Sequence, residues 1–165
     1  MLKSVEFMSL RSMKSLQANE AVAVISIHDS ATIRDLPNFD GFLEVLQLNM
    51  LDVCEEDMGV APGAWTDEPT DEQHSNYCGI PGDFAPSISH AREIRTFVDT
   101  LEARKEELDL AVHCSAGVSR SAAVASWTSK RFGVKLHDRA GTGLTAANPR
   151  ITRLLRSLDT VASKF

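Results

Sequence analysis

Apolar and polar positions along the chain follow two rhythms that take turns. Val5-Glu6-Phe7-Met8 reads as a short strand, with a short helix over Ser9 to Leu16 behind it. Ala21 to Ile27 is a continuous apolar run of strand length, the pattern of a buried strand, and it ends in the polar loop His28-Asp29-Ser30. Phe42 to Leu48 is a further strand with partial alternation, and Leu108-Asp109-Leu110-Ala111-Val112 another buried one. Between them Ile88, Ala91, Ile94, Phe97, Val98 and Leu101 keep helical spacing behind the cap Pro86-Ser87. A helix begins near Ser121 and runs through Trp127 to Phe132, where Gly133 suits the C-cap. Asn148-Pro149 opens the last helix, with proline at its first helical position and a buried stripe of Ile151, Leu154, Leu155, Leu158 and Val161.

Strands alternating with helices predict an α/β fold whose short, mostly parallel central sheet is flanked by helices. At 165 residues the expectation is one domain over 1–165. Residues 55–83 break the rhythm. They carry Pro62, Gly63, Pro69, Gly79, Pro81 and Gly82 without apolar periodicity and read as a long loop insertion.

Composition narrows the partners. The hydrophobic fraction of 43% and charged fraction of 24% are ordinary for a globular chain. The net charge of −6 is concentrated in 55–83, which hold eight acidic residues and no Lys or Arg. Nothing resembles a nucleic-acid stripe or a polybasic membrane patch, no apolar run approaches membrane-spanning length, and Met1 to Glu6 lacks the apolar stretch of a signal peptide. Three cysteines without a CxxC pair fit a reduced, cytoplasmic setting. Cys54, His74 and Cys78 match no zinc spacing, so neither a metal nor a cofactor is expected.

The chemistry concentrates in His113-Cys114-Ser115-Ala116-Gly117-Val118-Ser119-Arg120-Ser121. A strand-end cysteine and an arginine six residues later bracket a turn of small residues that opens a helix. Such a turn aims successive N–H groups into one concavity, with the positive helix end behind them. A phosphate-like oxyanion fits there, and the amides with Arg120 predict Cys114 as a thiolate nucleophile. Ser121 is placed to donate to the sulfur, Arg120 offers a fork for two oxyanion oxygens, and Gly117 allows a close backbone approach. Ser115, Ala116, Val118 and Ser119 complete the expected phosphate loop.

This run resembles the H-C-x5-R-S/T signature of the cysteine-based protein tyrosine phosphatase superfamily, in the form typical of the dual-specificity branch and its small bacterial and phage relatives. The likeness extends more weakly from about Val22 to Leu158. It implies hydrolysis of phosphomonoesters through a phosphocysteine, with a phosphorylated protein as partner: phosphotyrosine first, phosphoserine and phosphothreonine as further candidates. It also implies that His113 hydrogen-bonds locally to organise the loop and helps to steady the thiolate. Asn148 resembles the asparagine that starts the family's final helix, and equally fits a plain N-cap.

The resemblance further implies an aspartic general acid on a loop between a strand and the helix preceding the cysteine. Asp52, at the end of the strand region Leu46 to Leu51, is preferred because a strand end is a rigid mount. Asp83 is the rival, 31 residues before Cys114, and also fits a turn after Pro81-Gly82; Asp57 is a third option. Cys54 is read as a shielded thiol, with trapping of an oxidised Cys114 as the alternative. The acidic loop is read as a solvated insertion or as a lid favouring basic substrates, with Trp65 and Tyr77 as anchors or phenyl contacts. Where many relatives have a further helix, Val134 to Gly143 is short and glycine-rich, with room for a turn or two. A phosphatase for lipid or nucleotide phosphates, sulfur-transfer chemistry and a silent phosphate-binding module are the competing functions. Lipid substrates are disfavoured by the absence from 115–119 of the lysines that lipid-directed members of the family commonly carry there.

Overall fold

A computed structural model describes residues 1–79 and 82–162, with side chains for all of these except 78, 161 and 162. Pro81 and the side chains of Cys78 and Val161, named above, lie outside the described residues. Five strands, β1 (Leu2–Ser9), β2 (Val22–His28), β3 (Val45–Asn49), β4 (Leu108–Cys114) and β5 (Lys135–Asp138), form one sheet in the order β3-β2-β4-β1-β5. Every pairing in it is parallel, which sharpens the expected "mostly parallel" sheet. The helices are α1 (Leu10–Lys14), α2 (Asp71–Cys78), α3 (Ile88–Glu102), α4 (Arg120–Phe132) and α5 (Pro149–Ala162).

One face of the sheet presents Val5, Phe7, Ile25, Ile27, Leu110 and Val112 to the stripes of α3, α4 and α5. Those stripes are the ones expected: Ala91, Ile94, Val98 and Leu101 from α3, and Ile151, Leu154 and Leu155 from α5. Ala122, Ala123 and Ala125 on α4 are small enough to bring that helix close to the strands. The opposite face carries Met8, Val24 and Ala111 under Met13 of α1, with Phe39 and Phe42 of the β2–β3 connection packed alongside. Both faces are covered, so the inner strands read as apolar runs rather than as alternations.

Central strand β4 is flanked by β2 and β1, and its C-terminal end is therefore walled on both sides. The chain leaves β4 toward α4 on one face and leaves β1 toward α1 on the other. Adjacent strands whose exits diverge leave a crevice at the carboxyl edge, where open α/β sheets bind ligands. Cys114 ends β4 at that edge.

Two segments differ from expectation. Residues 55–83 are not one unbroken loop. They contain a 3₁₀ turn at Glu56–Met58 and the helix α2, started by a Thr70–Gln73 capping box and ended by Gly79 in the left-handed region. The helix Asp-Glu-Gln-His-Ser-Asn-Tyr-Cys has no apolar stripe, so periodicity could not reveal it. Val134 to Gly143 supplies no helical turn but the edge strand β5, whose Leu136 pairs with Val5. Other boundaries move by a few residues: β1 begins at Leu2, and β3 starts at Val45 rather than Phe42.

Candidate active site

Alternation along β4 turns Cys114 toward the helical face and His113 toward the other. The sulfur is buried, with 1% of the residue exposed. It accepts the N–H of Gly117 at 3.3 Å and lies 3.2 Å from the Ser121 hydroxyl. The loop is pinned to β1 and α1, since Leu10 N donates to the Ser115 carbonyl. Gly117 has φ +76°, and a Cβ there would stand 2.3 Å from Ser9 N and 2.4 Å from the Met8 carbonyl carbon. Only glycine fits against this strand end.

Arg120 is the first residue of α4 and is buried. One terminal nitrogen donates to the Met50 carbonyl at 2.7 Å and to Asp29 at 3.2 Å; the other donates to the Ser115 hydroxyl at 3.0 Å. Its Nε has no hydrogen-bond acceptor and lies 3.9 Å from Asp52. The guanidinium is thus held by three acceptors and keeps its Nε–H uncommitted. Such a buried donor is costly unless a ligand oxygen completes it.

Asp29 was not singled out by sequence. Burial pushes its carboxyl up, but the Thr32 hydroxyl and the Arg120 guanidinium outweigh this and leave it below the usual carboxylate range. It therefore stays charged beside Arg120. The available signal was its position, directly after a buried strand at the carboxyl edge.

The three candidate acids separate cleanly. Asp52 Oδ1 accepts from the Ser119 hydroxyl at 2.6 Å and from Asn148 Nδ2 at 2.9 Å, and its side chain is 39% exposed. Ser119 precedes α4 without capping it, because its backbone is not extended as a capping residue's is; its hydroxyl donates to Asp52. Asp83 is 2% exposed, and both of its oxygens accept from Ser30, through the backbone N–H and the hydroxyl. It fastens the β2 loop to the insertion. Asp57 accepts the Cys54 thiol at 3.0 Å. Of the three, the structure brings only Asp52 against the cysteine loop.

Asn148 makes the expected N-cap and also reaches Asp52. Its Oδ1 accepts the N–H of Ile151 at the start of α5, while Nδ2 donates to Asp52 and to the Val53 carbonyl. Its own N–H donates to the Ser119 carbonyl, which ties α5 to the loop.

The local contact that His113 makes is with the Cys114 backbone. Both ring nitrogens are buried, and the ring stacks on Phe39. Burial first, then the nearby His28 and Arg120 charges, push its pKa down to about 4, so the ring is neutral. It faces away from Cys114 because adjacent strand residues take opposite sides of the sheet. Ser121 alone supplies the expected side-chain contact to the sulfur.

Cys54 is buried, and burial together with its hydrogen bond to Asp57 pushes the thiol up to about 12. It stays protonated, and no disulfide joins it to Cys114. His74 accepts the Ala85 N–H and sits edge-on to Phe84. No cluster of metal-ligating side chains occurs among the described residues.

Residues 55–70 are fastened rather than loose. Arg150 on α5 is buried and donates to Glu55 at 2.6 Å and to the Pro86 and Thr66 carbonyls, each at 2.7 Å. Its guanidinium lies 5.4 Å from the Trp65 ring centroid, and Trp65 stacks on Tyr77 at 4.3 Å. The two aromatics are anchors. Arg153 adds contacts to Glu55 and Asp67.

Comparison of the chain with models of known protein families, with curated proteins and with solved structures gave no match. No helix among the described residues is long and apolar enough to cross a membrane.

Proposed function

We propose that the protein is a cysteine-dependent phosphomonoester hydrolase of the protein tyrosine phosphatase type, working in the cytoplasm on phosphorylated proteins without metal or cofactor. The observation that carries this reading is the convergence on one spot of a buried sulfur, the Gly117 N–H aimed at it, an arginine with an uncommitted Nε, and a half-exposed carboxylate. Phosphoryl transfer proceeds through a loose transition state, so positioning and charge stabilisation do most of the work.

In the first step the Cys114 thiolate attacks phosphorus in line. The loop amides of 115–119 and Arg120 hold the equatorial oxygens, and the P–O bond to the leaving group breaks. Asp52, protonated for this step, delivers its proton to that oxygen. A phosphocysteine results. In the second step the Asp52 carboxylate takes a proton from water as the water attacks phosphorus, and the P–S bond breaks. The returning sulfur anion is received by Gly117 N–H and the Ser121 hydroxyl. Asp29 acts through Arg120, holding the guanidinium charge from behind.

Hydrolysis of p-nitrophenyl phosphate and phenyl phosphate tests the assignment. Cys114→Ser abolishes turnover of both while phosphate still binds. Asp52→Asn lowers kcat by ~10²–10⁴ for phenyl phosphate and much less for p-nitrophenyl phosphate, whose leaving group needs little protonation. Asp83→Asn leaves this leaving-group dependence unchanged. Turnover by Cys114→Ser, or an Asp52→Asn enzyme equally active on both esters, refutes the scheme.

A further inference from the structure

Five large apolar side chains stand exposed among the described residues: Met1, Ile33, Met58, Val60 and Leu144. Four of the five belong to segments that leave the carboxyl edge of the sheet. Because every strand is parallel, the connections after β2, β3 and β5 all emerge at the edge that carries the cysteine loop. Each of these residues is tied closely to a group already described. Ile33 N–H donates to the carbonyl of Asp29, the partner of Arg120. Met58 and Val60 N–H both donate to the carbonyl of Glu55, three residues beyond Asp52. Leu144 accepts from Ala147, next to Asn148. Their exposure lies between 38% and 55%, and scattered placement would need no explanation. Placement on connections that share the edge carrying the cysteine loop does.

We infer that Ile33, Met58, Val60 and Leu144 form an apolar rim that receives aliphatic or aromatic side chains flanking the phosphorylated residue of a peptide segment. The inference rests on the phosphatase reading and adds a substrate class to it. The occupant follows from charge. Exposed Asp35, Glu56 and Asp57 stand beside Ile33 and Met58, with Arg34 as the one basic residue on 29–35 and 55–60. An anionic lipid surface is repelled by this collar, and a second copy of a chain with net charge −6 is repelled as well. A peptide that brings its dianion to the cup and neutral apolar or basic side chains to the rim meets no such opposition.

The test compares kcat/KM for three phosphotyrosine peptides, flanked on both sides by alanine, by leucine or by glutamate. It also includes phosphatidylcholine vesicles doped with a phosphatidylinositol phosphate. The wild-type protein prefers the leucine peptide over the alanine peptide by roughly tenfold, the scale of a few buried methylenes, and disfavours the glutamate peptide. The triple variant Ile33→Ser, Met58→Ser, Leu144→Ser loses the leucine preference and keeps wild-type turnover of p-nitrophenyl phosphate; Leu144→Ser alone loses part of it. Equal rates on the leucine and alanine peptides, a preference that survives the triple change, or faster turnover of the vesicles overturns the inference. A wild-type protein inactive on p-nitrophenyl phosphate overturns the phosphatase reading instead, so the two failures are distinguishable.

Discussion

Replacing Gly117 with alanine isolates the contact on which the cysteine loop rests. Two costs are involved, and Gly133 separates them. At Gly133 φ is +67° and nothing lies within 4 Å of an added Cβ, so alanine there meets only the backbone penalty, about 1–2 kcal/mol. At Gly117 φ is +76°, and the added Cβ meets Ser9 N at 2.3 Å and the Met8 carbonyl carbon and oxygen at 2.4 and 2.8 Å. These are backbone atoms of a strand paired there with β4, and no side-chain rotation relieves them. Overpacking of this kind adds about 1–3 kcal/mol, giving about 2–5 kcal/mol in all. The loop can escape only by lifting off β1, which withdraws Gly117 N–H from the Cys114 sulfur. Urea unfolding of both variants measures the difference, and p-nitrophenyl phosphate hydrolysis measures its functional cost. Gly117→Ala is expected to be the less stable by about 1–3 kcal/mol and to lose most of its turnover, with Gly133→Ala near wild type. Equal destabilisation, or full activity in Gly117→Ala, refutes the argument that the cup leans on β1.

Other outcomes follow from the same geometry. The Arg150–Glu55 pair is buried on both sides, so Glu55→Ala strands the Arg150 charge and lowers stability by about 3–5 kcal/mol, more than Arg150→Met, which leaves Glu55 paired with Arg153; the reverse order in urea unfolding removes that account. Asn148→Ala loses a helix cap worth about 0.5–2 kcal/mol, and it also lowers kcat because Asp52 loses a hydrogen-bond donor; an unchanged kcat in steady-state assays removes the positioning role. His113 and His90 are both pushed down to about 4, chiefly by burial. Between about pH 6.5 and 4 the unfolded chain binds protons on these rings that the folded chain does not. Stability is therefore whole above that window and falls as pH drops through it. His113→Leu flattens the fall, as urea midpoints at pH 7 and pH 5 reveal; a wild-type midpoint that does not move sinks this reading.

What could be read along the chain was whatever local spacing encodes. Cys114 to Ser121 are contiguous, so the loop was visible, and the stripes of α3 and α5 were visible because their faces are apolar. Asp29 and Arg150 were not, since their partners Arg120 and Glu55 lie 91 and 95 residues away. Such ion pairs exist only once the sheet has closed. Helix α2 escaped notice because its faces are uniformly polar, although Thr70, Gln73 and Gly79 mark its two ends. Strand β5 has four residues at a sheet edge, half of them exposed, and so lacks the apolar run that marked β2 and β4. His113 does not reach the sulfur for a different reason: neighbouring residues on a strand face opposite sides of the sheet.

The central claim is that phosphorus passes through a covalent bond to one sulfur. Rapid acid quenching during turnover of p-nitrophenyl phosphate, followed by peptide mass spectrometry, tests it most directly. The account predicts a phosphoryl adduct confined to Cys114, more abundant in Asp52→Asn and absent in Cys114→Ser. Undiminished turnover without an adduct, or an adduct on any other residue, contradicts it.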